Sequence, residues 1–115
     1  MKTIIVPTDF SPTATNAMHY AIQMAKQIKA NLLLVHVYQV PVSYTDAPIV
    51  LVSVDELRKA AGARMQTLKE EVEHLVHKEQ KVYTETILGN VVDELENVCK
   101  KIKPFAVVMG TKGAT

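Results

Sequence analysis

A single cysteine, Cys99, and no tryptophan stand in a chain of 115 residues. One thiol excludes an intrachain disulfide and any multi-cysteine metal site, and it fits a reducing compartment. Aromatic residues make up only 5%, and glycine and proline number 4 and 5, which excludes collagen-like and Pro/Gly-rich disordered classes. Charge of one sign is missing as well. Against 13 Lys and Arg stand 12 Asp and Glu, a net charge of +1. That is neither the basic excess of a nucleic-acid-binding domain nor the acidic block of a solvated tail. No apolar run approaches the roughly 20 residues of a membrane span. Met1-Lys2-Thr3-Ile4 enters a strand-like run with no signal-peptide core. These absences together imply a cytoplasmic protein with no nucleic acid and no membrane among its partners.

What is present is a core. Hydrophobic residues reach 48% and charged residues 22%, enough apolar surface to offset ordering entropy in one domain spanning residues 1–115. Apolar runs alternate with helical patterns. Thr3-Ile4-Ile5-Val6 is short and β-branched and reads as a buried strand. Ser11-Pro12 supplies an N-cap and a first helical position, and Ala14, Met18, Ala21, Ala25 and Ile28 follow at helical spacing. Ala30-Asn31 closes that helix, because Asn tolerates the left-handed cap. The Leu32–Tyr38 run does not alternate, as expected of a parallel strand covered on both faces. After a connector from Gln39 to Val52, Ser53-Val54-Asp55-Glu56 matches a capping box. Apolar residues from Leu57 to Val76 give a long amphipathic helix. Val82–Ile87 alternates and reads as a strand near a sheet edge. Asn90 opens a third helix with Val92, Leu95, Val98, Cys99 and Ile102 on its apolar face, and Pro104 stops it. Phe105–Met109 is a fourth strand.

The order β-α-β-α-β-α-β implies an α/β fold, a doubly wound parallel sheet with helices on both faces. Right-handed crossovers limit the arrangements to a few. A chain running outward from the first strand to the third must return its fourth beside the first, giving the order 3-2-1-4 with a topological switch between the first and fourth strands. Ligands in such sheets bind at the carboxyl ends of the strands flanking the switch. Two segments meet there, Pro7-Thr8-Asp9 and Gly110-Thr111-Lys112-Gly113.

In the second segment Gly110 and Gly113 permit close backbone approach, so that successive N–H groups can point at a phosphate, with Lys112 adding charge at the rim. A bare G-x-x-G is equally at home in a plain turn, and no P-loop or Rossmann glycine pattern accompanies it. Asp9 has two readings: a carboxylate accepting hydrogen bonds from an adenine amino group or a ribose hydroxyl, or a turn residue supporting the next helix. His36 lies in a buried strand and reads as a hydrogen-bonded core histidine. His74 and His77 share a helix face without further ligands, so they read as solvated rather than as a metal site. Cys99 packs as a small hydrophobe. The connector, with Tyr44, Thr45, Asp46 and Ile49–Val52, reads as a packed surface loop, with a ligand or partner contact as the alternative.

Ile4-Ile5-Val6-Pro7-Thr8-Asp9-Phe10-Ser11, then Leu33-Leu34-Val35-His36-Val37, then Val107-Val108-Met109-Gly110-Thr111-Lys112-Gly113 occur in that order and spacing. In this the chain resembles the universal stress protein family from its first strand to its last residue. The resemblance implies the doubly wound fold and, through G-x-x-G, the ATP-binding branch. Asp9 would contact the adenine or ribose region, with Pro7, Thr8, Val37 and Met109 lining the adenine pocket. Gly110 and Gly113 would begin the ribose-phosphate loop, and Mg²⁺ would accompany the ATP. The family continues with a spacer, a second glycine-hydroxyl pair, a fifth strand and a last helix. The resemblance thus implies a domain incomplete at its C-terminus, and a homodimer or other self-association covering the edge of the fourth strand.

Three functions compete on this reading. The first is an ATP-binding regulatory protein of the stress response, not an enzyme, since no residue set orients an attacking water. The second is a nucleotide-independent dimerising or partner-binding module. The third, an adenylating enzyme, rests on fold analogy alone.

Overall fold

A computed structural model describes residues 1–39 and 54–110. The elements follow the expected order: β1 (Thr3–Pro7), α1 (Pro12–Ile28), β2 (Asn31–Tyr38), α2 (Val54–Glu73), β3 (Val82–Leu88), α3 (Val91–Ile102) and β4 (Ala106–Val107). All four strands are parallel and lie in the order β3-β2-β1-β4. In the central pair, Ile4 sits beside Leu32 and Val6 beside Leu34. The central residues of β1 and the Leu32–Val35 stretch of β2 are buried, which is why neither run alternates in sequence.

The two sheet faces carry separate cores. Ile4, Val6, Leu32 and Leu34 pack with Met18, Ala21, Ile22 and Ala25 of α1 and Met65 and Val72 of α2. Ile5, Leu33 and Val35 meet Leu95, Val98 and Cys99 of α3 on the other face. This division follows from handedness. The crossovers from β1 to β2 and from β2 to β3 run one way along the sheet, and the crossover to β4 runs back. Alanines on the buried side of α1 let its backbone approach the sheet closely.

The caps explain the helix limits. Ser11 Oγ accepts from Ala14 N at 3.2 Å, and Asn90 Oδ1 accepts from Asp93 N at 3.2 Å, each satisfying a free donor of a first turn. The expected Asn31 cap is not used. Lys29 takes the left-handed position instead, with φ 56°. Asn31 belongs to β2, where its N–H donates to Lys2 O at 2.7 Å and its side chain accepts from Lys81 N at 2.8 Å. The sheet ladder claims Asn31 before the helix can.

Three further expectations shift. α2 ends at Glu73, so Leu75 and Val76 fall in the turn after it. β4 shrinks to two residues, although Phe105 N and Val108 N still donate to Thr3 O and Ile5 O of β1. Val92 is 63% exposed rather than on the apolar face of α3. The expected surface loop and the capping serine, Ser53, lie outside the described residues.

Candidate functional site

At the carboxyl end of the sheet lies the switch point between β1 and β4. A cleft of about 190 Å³ opens there, on the α3 side of the sheet. Six of the residues singled out in the sequence line it together: Pro7, Thr8, Asp9, Val37, Met109 and Gly110. They come from three separate parts of the chain, and only the 3-2-1-4 order brings them together. Lys112 and Gly113 lie outside the described residues. So six of the expected site residues share one cleft, and of the glycine segment the described residues include only its first glycine.

Backbone hydrogen bonds fix the floor of the cleft. Thr8 N donates to Val35 O of β2 at 2.8 Å. Phe10 N donates to the Thr8 hydroxyl at 3.0 Å, and Ser11 N donates to Asp9 Oδ1 at 2.9 Å. The turn reading of Asp9 is met, since its carboxylate accepts from Ser11 N just before α1, and the same residue lines the cleft. The opposite rim is Gly110, whose closeness to Thr13 leaves no room for a side chain. A Cβ there would fall 2.6 Å from Thr13 O. The amino-terminal turns of α1 and α3 reach the cleft through Ser11, Thr13 and Val91. Helix N-termini carry partial positive charge from their free N–H groups, so the mouth of the cleft favours an anion.

Sequence reasoning missed several lining residues. Val35 could have been found from Val37, since alternate residues of a strand share a face. Val91 and Leu95 are one helical turn apart at the start of α3, and the spacing was there to read. Thr13 had no such signal, because its place depends on how closely β4 approaches α1.

Other features resolve simply. A larger cleft, about 320 Å³, runs between α1 and α2 on the opposite face; its walls include Met18, Ile22, Leu68 and Val72, and of the expected site residues it takes in only Thr8. Volume does not decide, since an open groove between α1 and β4 reaches about 600 Å³; the smaller cleft is the one at the switch point. Cys99 is a half-buried free thiol against the α3-side core. His36 is half-buried and hydrogen-bonded to Thr8 O, as a core histidine should be. Among the described residues no group of three His, Cys, Asp or Glu side chains could hold a metal ion. No described helix is long and apolar enough to cross a membrane.

Comparison with known proteins places the chain. The profile of the universal stress protein family matches residues 1–115. A curated universal stress protein of Methanocaldococcus jannaschii is 30% identical over 115 residues, and the match covers 99% of this chain. The chain spans 66% of the length of that relative. A solved universal stress protein in complex with cAMP is 23% identical with a TM-score of 0.68, covering 93% of this chain and 74% of its own. A universal stress protein family member of Arabidopsis thaliana, solved with AMP bound, is 15% identical with a TM-score of 0.69, covering 99% and 79%. At these identities the structural likeness shows a shared fold.

Proposed function

Because the chain belongs to the universal stress protein family, we propose that its switch-point cleft binds an adenine nucleotide, with ATP the expected ligand, and that the protein acts as a nucleotide-dependent regulator. The observation that carries this reading is the convergence of Pro7, Thr8, Asp9, Val37, Met109 and Gly110 on one cleft. Val37 and Met109 offer apolar surface to the faces of a base, while Asp9 offers an acceptor to an amino or hydroxyl group. Gly110 and the turns of α1 and α3 border the mouth, where phosphates would gain from backbone N–H groups. A cleft of about 190 Å³ suits a base rather than a whole nucleotide. Two relatives of the same fold, crystallised with cAMP and with AMP, support the adenine class.

The proposal is of binding rather than catalysis. Asp9 is the one titratable side chain among the described lining residues, whereas phosphoryl transfer calls for a water-positioning group and a clamp of positive charge. Any Mg²⁺ accompanying the nucleotide would be held chiefly by its phosphates, with Asp9 the one carboxylate among the described residues lining the cleft. Calorimetry with ATP tests the reading. Micromolar to submillimolar binding that Asp9→Ala weakens at least tenfold is expected. Absence of heat at millimolar ATP would sink it.

One observation favours a second reading, a self-associating or partner-binding scaffold. Tyr20, Val107 and Met109 are 64%, 40% and 49% exposed around an open groove between α1 and β4. Sedimentation with and without ATP separates the two: association indifferent to nucleotide favours the scaffold.

A further inference from the structure

His36 lies behind the cleft, not in it. It follows Leu32 and Leu34 at two-residue spacing on β2, and both of those leucines belong to the α1/α2 core. Strand alternation therefore turns His36 to the face opposite the cleft. Even so, His36 Nδ1 lies 2.8 Å from the carbonyl oxygen of Thr8, 28 residues earlier in the chain. A carbonyl only accepts, so Nδ1 carries the proton and donates it. The ring of His36 also stands 4.6 Å from that of Phe10. Besides stacking on Tyr38, it contacts Thr8 and Phe10, which bracket Asp9 in the sequence.

The bracketed corner is a costly one. Phe10 has φ 64°, in the left-handed region that a side chain disfavours. Such a conformation persists only where its surroundings over-determine it, and such positions gather at ligand clamps. The surroundings here are specific. The Arg64 guanidinium of α2 stands 4.4 Å from the centroid of the Phe10 ring, and His36 packs against the same ring. The Thr8 hydroxyl takes the Phe10 N–H at 3.0 Å.

We propose that His36 is a positioning residue for the nucleotide: through Thr8 and Phe10 it holds, from behind the sheet, the left-handed corner that presents Asp9 to the cleft. The inference rests on the nucleotide-binding reading for its ligand, but the clamp itself is measurable without one.

The test compares His36→Phe, which keeps a ring and loses the donor, with His36→Asn, which keeps a donor on a shorter side chain, each with and without Asp9→Ala. ATP affinity is read by calorimetry, and exchange of the Phe10 and Ser11 amides by NMR. His36→Phe is expected to weaken ATP about tenfold, the scale of one well-made hydrogen bond. His36→Asn is expected to recover most of that loss. In the Asp9→Ala background His36→Phe should cost nothing more, because it acts through Asp9. Unchanged affinity in His36→Phe, or losses that multiply in the double variant, would overturn the proposal. If the unaltered protein binds no ATP, the nucleotide reading fails and amide exchange decides the clamp. Faster exchange at Phe10 and Ser11 in His36→Phe upholds it, and unchanged exchange overturns it. Should His36→Phe not fold, the nitrogen shifts of His36 in the unaltered protein decide instead. Protonated Nδ1 is required, and an unprotonated Nδ1 refutes the clamp.

Discussion

Gly110→Ala is the perturbation whose consequence the structure specifies most closely. A Cβ at position 110 would lie 2.6 Å from Thr13 O, 2.8 Å from Thr13 Cγ2 and 2.9 Å from Thr13 C. Two of these are backbone atoms in the first turn of α1. That turn is braced by the Ser11 cap and by the bond from Thr15 N to Ser11 O, so the clash cannot be relieved by rotating a side chain. The segment after β4 and the start of α1 must separate. Overpacking of this kind costs about 1–3 kcal/mol. For a domain of this size 1 kcal/mol corresponds to about 4 °C, so Tm should fall by roughly 4–12 °C. Thr13 and Gly110 both line the cleft, so the separation should also weaken ATP severalfold. Gly62→Ala is the internal control: its Cβ would meet nothing within 4 Å, inside α2. Alanine there should raise stability by about 0.5–1 kcal/mol through helix propensity and leave ATP binding alone. Thermal unfolding and calorimetry on both variants read the contrast. A Gly110→Ala protein that melts with the unaltered one would refute the close approach of β4 to α1.

Other expectations follow from the packing. Gln80 is buried and donates to Ala25 O at 2.9 Å and Ala30 O at 2.7 Å while its own oxygen accepts from His77 N. Gln80→Leu should cost about 1–3 kcal/mol by stranding those groups, seen as a lowered urea midpoint. Met65, 2% exposed on the buried face of α2, should cost about 2–5 kcal/mol on truncation to Ala, measured by the same denaturation. Asn90→Ala should cost about 1 kcal/mol by uncapping α3, with faster exchange of the Asp93 amide.

Much of this molecule could be read from its residues. The unbroken apolar runs of β1 and β2 announced strands covered on both faces, and right-handed crossovers, taken with an outward run from the first strand to the third, gave the order of all four. That order alone placed Asp9 beside Gly110. What could not be read depends on tertiary partners. Lys29 rather than Asn31 caps α1 because Lys2 and Lys81, far off in sequence, claim Asn31 for the sheet. Gln80 looks like a loop residue until α1 is laid beside it. The left-handed Phe10 carries no local signal, since nothing in Asp9-Phe10-Ser11 asks for positive φ. It is held by Arg64 and His36 from other elements.

The central claim is that the switch-point cleft is the nucleotide site, and an amide NMR titration with ATP tests it most directly. Shifts confined to Thr8, Asp9, Phe10, Ser11, Val37, Met109 and Gly110, and saturating with one ligand, are the predicted result. Shifts confined to the cleft between α1 and α2, or none at millimolar ATP, would contradict it.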